Sequence, residues 1–222
     1  MIKKKYKFAS IATDVVIFTI KQDNLQVLLI KMKKKPYENF WAAPGGLVKP
    51  EESVDEAAKR ILHQKTGVKN VYLEQLYTFG KVNRDPFGRV VSVGYFALIP
   101  YDNLNIKTTK EYGGVKWFPV DGLPALAYDH REIIVTAIKR LQAKLSYTNV
   151  TFSLLPNNFT LSDLQKVYEV ILERKLDKRN FRKKILALKL VRRSGIKKEG
   201  LPQRPADLYK FAKRRIQIIE VL

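Results

Sequence analysis

Between Gly45 and Val68 the chain reads GGLVKPEESVDEAAKRILHQKTGV, and this stretch constrains the fold more than any other. Ser53 followed three residues later by Glu56 is a capping box, in which each side chain satisfies the other residue's free amide and starts a helix. Val54, Ala57, Ala58, Ile61 and Leu62 then recur at helical spacing, and Gly67 supplies the stop. A helix with one apolar stripe has to cover something. From residue 11 to about 100 the sequence offers short apolar runs, ATDVVIFTI, LQVLLIKM, WAAPGGLV, NVYLEQLYTF and RVVSVGYFALI. They are rich in Val, Ile, Phe and Tyr and bounded by Gly, Pro, Asn and Asp, so they read as strands. Several are apolar on both alternate faces, as in a sheet covered on two sides. A second helical pattern, HREIIVTAIKRLQAKL, with Ile133, Ile134, Ala137, Ile138 and Leu141 on one face, supplies the other cover. Strands held between helices predict an α+β layered domain.

The character of the chain changes after Ser146. SYTNVTFSLLPNNF is polar and carries Pro and Asn, and it reads as a linker or boundary between a domain of residues 1–146 and a second of residues 150–222. In TLSDLQKVYEVILERKL, Thr160 and Asp163 form a second capping pair, and Leu164, Val167, Tyr168 and Ile171 make an inner face. In DKRNFRKKILAL, Asp177 is the N-cap, Phe181, Ile185 and Leu188 point inward, and Lys178, Arg179, Arg182 and Lys183 point outward. KLVRRSGIKKEGLPQRPADLYKFA then reads as strand, loop, strand. Helix, turn, basic helix and hairpin in this order predict a winged helix-turn-helix.

Charge agrees with that reading. The net charge is +21, from 42 Lys and Arg against 21 Asp and Glu, and residues 150–222 hold 18 and 7 of these. A polyanionic partner follows, with double-stranded DNA the expected one. A charge run is otherwise just a solvated face, but this one shares its helix with a clean apolar stripe and precedes an Arg-rich hairpin. Lys178, Arg179, Asn180, Arg182 and Lys183 are placed to reach base edges or phosphates, and Arg192, Arg193, Lys197 and Lys198 suit a wing lying on the DNA backbone. No aromatic stacking motif of the kind that binds RNA is visible. The chain has no cysteine, which excludes a disulfide framework and thiolate metal sites. A basic start followed by an apolar run imitates a signal peptide, but Asp14 interrupts the run and no apolar stretch reaches the length of a membrane span. A soluble cytoplasmic protein with no membrane partner is expected.

Gly46, five residues, Glu52, seven residues, Arg60, six residues, Gly67 resembles the Nudix box, G-x5-E-x7-R-E-U-x-E-E-x-G-U with U apolar. Leu62 and Val68 stand at apolar positions of that pattern, and Trp41, Pro44 and Gly45 precede it as in the family. The box helix of that family presents glutamates that hold Mg²⁺ against a diphosphate. Here Ile61 stands at the catalytic glutamate, and Gln64 and Lys65 stand at two metal-binding ones. Ile61 moves no proton, and Lys65 repels Mg²⁺. No catalytic residue, metal or other cofactor is therefore expected. Glu51, Glu52 and Asp55 remain, which keeps open a hydrolase with displaced metal ligands. Glu56 is expected in the cap, and Arg60 paired with Glu52.

With the winged helix, the whole chain resembles the Nudix-related transcriptional regulators of the NrtR and AraR type. The likeness runs through the box, LEQLYTFGKVNRDPFGRVVSVGYFAL, LPALAYDH and LDKRNFRKKILAL. It implies an α/β/α Nudix-like sandwich followed by a winged helix, a homodimer on operator DNA, and a small effector, ADP-ribose in one branch and a pentose such as arabinose in another. Arg84, Asp85, Arg89 and Tyr95, with Glu52, are the candidate effector contacts, since two arginines near an acid can hold a phosphate or sugar hydroxyls. A tight hairpin with a surface ion pair explains the same residues. His63 reads as solvated, His130 as structural at a helix start, and Trp41 and Trp117 as core or cleft wall. A nucleic-acid-binding adaptor whose first domain binds only protein is a further alternative.

Overall fold

The structure, a computed structural model, describes residues 8–67, 69, 71–101, 106, 111–198 and 206–221, without the side chain of Lys198. These divide into two compact units, one drawn from within residues 1–18, 27–97 and 104–137, the other from within residues 19–26, 98–103 and 138–222.

The elements begin with β1 (Ser10–Lys21), β2 (Asn24–Lys31), β3 (Trp41–Ala42), β4 (Gly45–Leu47), α1 (Val54–Thr66), β5 (Tyr72–Phe79), β6 (Val90–Leu98), β7 (Gly114–Pro119) and α2 (His130–Tyr147). One sheet takes the order β3-β2-β1-β6-β5, with β4 paired to β1 and β7 to β2. β1 is buried without a break from Ala12 to Thr19, the two-sided burial that its unalternating apolar run requires. α1 starts at the capping box: Glu56 N–H donates to the Ser53 hydroxyl at 3.2 Å, and Ser53 N–H donates to the Glu56 carboxylate at 2.8 Å. It stops at Gly67, whose φ of 71° is left-handed backbone that glycine adopts without strain. α2 buries Ile133, Ile134, Ala137 and Leu141. The strand β7 was not expected. GVKWFP is short, only half-buried, and flanked by Gly and Pro, so its pattern is that of a loop.

The polar stretch after Ser146 is not a linker, and that expectation is corrected. Val150–Ser153 forms a 3-10 turn, and Val150, Leu154, Leu155 and Phe159 are buried. Its polar residues work inward: the Asn149 amide donates to Arg215 O at 3.1 Å and accepts from Gln217 N–H at 2.8 Å. Ile219 N–H and Val221 N–H donate to Tyr147 O and Ser146 O, so the last residues of the chain pin the segment.

Beyond it come α3 (Leu161–Leu172), α4 (Lys178–Ala187), β8 (Val191–Lys198) and β9 (Ala206–Phe211). Thr160 and Asp163 close the capping box of α3, and Asp177 caps α4 by accepting from Asn180 N–H at 2.8 Å. α3 ends earlier than its apolar pattern suggests, at Glu173 in left-handed backbone, and Glu169 accepts from Leu176 N–H to fix the turn. Tyr168 of α3 and Phe181 of α4 meet edge to face with centroids 5.3 Å apart. β8 and β9 form an antiparallel hairpin, and Phe159 adds a bridge to Tyr209. Helix, turn, helix and wing are thus in place. Among the described residues no helix is long and apolar enough to cross a membrane.

Candidate functional site

The box helix shows what its replaced positions do. Arg60 holds Glu52 through two hydrogen bonds, Nε to Oε2 at 2.8 Å and Nη2 to Oε1 at 2.6 Å, and its Nη2 also donates to Leu47 O. Lys49 N–H donates to the same carboxylate, and these contacts, Arg60 first, hold Glu52 down to a pKa of about 2. The pair staples the loop between β4 and α1. Glu56 is taken up by the cap, and Asp55 accepts from the Tyr95 hydroxyl. Ile61 is packed in the core, Gln64 is exposed, and Lys65 is buried with Nζ 3.9 Å from the centroid of the Tyr112 ring. Burial lowers the Lys65 pKa, and Glu111 opposes that shift. Mg²⁺ needs oxygen ligands in near-octahedral array. A lysine, an isoleucine and carboxylates already committed to Arg60, Ser53 and Tyr95 do not fit it. Lys65, Gln64, Lys49, Glu111 and the Gly45–Gly46 backbone line a cavity of about 570 Å³ beside the helix.

A smaller cavity, about 260 Å³, shares Gly45, Gly46, Leu47 and Tyr112 with the first. Its floor is a buried charge network. The Arg84 guanidinium, 3% exposed, donates to Asp129 at 2.9 and 2.7 Å and to Asp14 at 3.1 Å. Asp14 also accepts from the Ser92 hydroxyl at 2.6 Å. His130 is fully buried, and its Nδ1 accepts from Ala43 N–H at 2.9 Å. Burial first, then the Arg84 charge, lower its pKa against the pull of Asp14 and Asp129. A neutral imidazole accepting at Nδ1 carries its proton on Nε2, which lies 3.6 Å from Asp14 Oδ1. Tyr128 stacks near this ring with centroids 5.2 Å apart, and burial pushes its phenol up to about 12. One guanidinium between two carboxylates leaves the trio net negative, a surface suited to accepting hydrogen bonds from hydroxyls. Gly45 is required here: a Cβ on it would stand 2.0 Å from Asp14 Oδ1.

The five candidate effector contacts do not line one cavity. Arg84 and Asp85 line the small cavity. Arg84 is not a surface ion pair, because it is buried with its Nε and Nη2 donors on the buried Asp14 and the half-buried Asp129. Asp85 also accepts from Phe87 N–H at 2.8 Å and shapes the loop. Arg89 is exposed and donates to the carbonyls of Lys81 and Val90, so it closes the hairpin and faces neither cavity. Glu52 is committed to Arg60. Tyr95 belongs to a third cavity of about 640 Å³ with Asp55, Lys59, His63 and Lys69. Sequence reasoning missed Asp14, Asp129 and the contact role of His130. Asp14 carried a usable signal, a lone acid inside a strand apolar on both faces, since a buried carboxylate must find partners.

On α4, Lys178, Arg179, Asn180 and Lys183 are exposed, as are Arg192, Arg193 and Lys197 on β8. Arg193 leans on Asp207 at 3.5 Å. The Lys198 backbone pairs with Ala206, and its side chain lies outside the described residues. Arg182 departs from the expected outward row. It is half-buried, its Nη2 donates to Ser162 Oγ at 3.0 Å, and its Nε is buried with no hydrogen-bond partner among the described residues. Its stem packs where α4 turns toward α3, so it ties the two helices.

Comparison with known proteins fits both halves. Residues 11–137 match the family model of the NUDIX domain, and residues 151–211 match that of the NrtR DNA-binding winged helix domain. The ADPR responsive transcriptional repressor NtrR of Acinetobacter baylyi is 36% identical over 214 residues, covering 95% of this chain and 85% of that protein. The crystal structure of Shewanella oneidensis NrtR complexed with a 27mer DNA superposes with a TM-score of 0.80 at 34% identity, over 92% of this chain and 94% of that one. The NUDIX domain of the same Shewanella protein complexed with ADP ribose matches at 36% identity and a TM-score of 0.55, over 63% of this chain and 92% of that one.

Proposed function

The chain belongs to the NUDIX family, in the NrtR-type group that joins a NUDIX domain to a DNA-binding winged helix, and from that membership we propose that it is an ADP-ribose-responsive transcriptional repressor that binds its ligand without cleaving it. Residues 1–146 hold the effector and residues 150–222 hold operator DNA. The observation that carries this reading is that the cleft is kept while its chemistry is replaced: the cavities beside α1 are open, and the positions for base and metal ligands are Ile61, Gln64 and Lys65. A fold that keeps its cleft without its catalytic groups is suited to sensing. The relatives named above respond to or bind ADP-ribose, which favours it over arabinose as the effector.

The DNA contacts are assigned to Lys178, Arg179, Asn180 and Lys183 on α4, with Arg192, Arg193, Lys197 and Lys198 on the phosphates. The protein acts as a homodimer in the cytoplasm, on half-sites spaced by about one helical turn or a multiple of it. ADP-ribose moves DNA affinity only by as much as it binds the two DNA-affinity states unequally. The test has two arms. Fragments of genomic DNA selected by the full chain give the operator, and calorimetry with ADP-ribose, arabinose and xylose gives the effector, with the ligand recovered and checked for cleavage after incubation with Mg²⁺ or Mn²⁺. Binding of intact ADP-ribose alone supports the proposal. Metal-dependent turnover abolished by a chelator contradicts it, and silence from every ligand favours an adaptor.

A further inference from the structure

We propose that the cavity beside α1 takes a diphosphate without any metal ion, with the Lys65 ammonium as its counter-charge and specificity determinant. The inference deepens the ADP-ribose reading and rests on it for the ligand, but the anion site stands on its own geometry. Lys49, Arg60 and Lys65 line this cavity against one acid, Glu111. Arg60 is committed to Glu52, and Lys49 is exposed on the rim. Lys65 is different. It is 5% exposed, and its ammonium lies over the face of Tyr112. An ammonium in that setting is poorly solvated, and a ring face compensates only part of the lost hydration. Burial lowers its pKa accordingly. A buried cation at a cavity wall is a site prepared for an anion, because the desolvation has already taken place before the ligand arrives.

The surroundings agree with a diphosphate rather than a lone carboxylate. Gly45 and Gly46 line the same cavity, and a Cβ on Gly46 would meet nothing closer than Ile61 Cδ1 at 3.8 Å. The neighbouring cavity, which shares Gly45, Gly46 and Tyr112, is lined by the Asp14 and Asp85 carboxylates and the Tyr128 ring. An anionic group at Lys65 and sugar hydroxyls at the carboxylates describe one ligand, a diphosphate ester of sugars. Two phosphates near a cation that is part of the protein need no bridging metal, and Lys65 opposes one.

Calorimetry on the full chain tests this with ADP-ribose and, separately, inorganic pyrophosphate. With the parent protein, both should bind equally well in EDTA and in Mg²⁺. Lys65→Met should weaken both by roughly ten- to hundredfold, the loss expected for one charge-assisted contact. The unliganded melting temperature of Lys65→Met should equal or exceed that of the parent, because a buried charge is gone; a merely structural lysine would show the reverse. Loss of parent binding in EDTA overturns the proposal whether or not the variant folds, and so does Lys65→Met binding like the parent. If pyrophosphate binds through Lys65 while ADP-ribose is silent, the anion site holds and the effector assignment fails. If neither binds the parent, the site itself is refuted.

Discussion

Arginines and lysines in the cavity region and on the winged helix are chemically alike and held in opposite ways. In the cavity region Arg84 lies against Asp14 and Asp129, Arg60 against Glu52, and Lys65 against Tyr112, with Arg84 and Lys65 buried. On α4 and β8, Lys178, Arg179, Lys183, Arg192 and Lys197 stand in solvent. Arg84 and Arg60 fix a shape, the surface cations wait for a partner, and Lys65, at a cavity wall, is buried yet left for a ligand. Substitutions should therefore separate, with changes at the paired interior charges read as stability and changes at the surface cations and Lys65 read as binding.

The largest effect belongs to Arg84→Met, which leaves the buried Asp14 carboxylate and the half-buried Asp129 carboxylate without their cation. Breaking a buried ion pair from one side costs about 3–5 kcal/mol, so urea denaturation should show a large loss; a loss below about 1 kcal/mol would mean that Asp14 and Asp129 are solvated in the native state. Gly45→Ala comes next. Its Cβ would collide with Asp14 Oδ1, and overpacking of this kind costs roughly 1–3 kcal/mol. Because Asp14 has to move, ADP-ribose affinity should fall with it.

Several features of this contrast were legible in the sequence. α1, α2, α3 and α4 announced themselves through caps and 3.6-residue periodicity, which are local properties, and the hairpin after α4 followed from its strand and turn residues. The two roles of the interior charges were not local. Nothing near Lys65 in sequence says that Tyr112 will lie over it, and Arg84 looked like a loop arginine because its partners are Asp14 and Asp129, far away along the chain. The segment at residues 146–159 misled for a related reason. Asn149 is satisfied by backbone at Arg215 and Gln217, and the backbone at Ser146 and Tyr147 by Val221 and Ile219, pairings that composition cannot show. Arg182 shares its face with true surface cations, and only the packing of α4 on α3 distinguishes it.

On the winged helix, the contrast is sharpened by Arg179→Ala and Arg182→Ala. Arg179→Ala should weaken operator binding by ~1–3 kcal/mol if it reads a base edge, with lost discrimination at one position per half-site. Its stability should stay within about 0.5 kcal/mol of the parent, as for exposed sites generally. Arg182→Ala should lower stability as well, since it frees Ser162, and equal stability of the two variants would erase the distinction. Arg193→Ala should weaken operator and scrambled duplexes alike and reduce the salt slope by about one for each phosphate left without its arginine.

The smallest effect is pH-dependent and sits at the Glu52–Arg60 staple. Glu52 has its folded pKa lowered from 4.5 to about 2, chiefly by Arg60. A lowered carboxylate contributes stability that is present in full above its unfolded value and lost as pH falls through the folded one. The stability gap between the parent and Glu52→Gln should therefore narrow between pH 5 and pH 2. A gap that stays constant over that window would show that the carboxylate charge is not what Arg60 holds.

The most direct measurement is the affinity of the full chain for its selected operator, titrated with ADP-ribose in EDTA and followed by fluorescence anisotropy, with the ligand assayed for integrity at the end. The dissociation constant should move by about 5- to 150-fold, the usual range of coupling between two linked sites, while the ADP-ribose is recovered whole. Saturating ADP-ribose that leaves operator affinity unchanged, or a change that appears only as the ligand is cleaved, would contradict it.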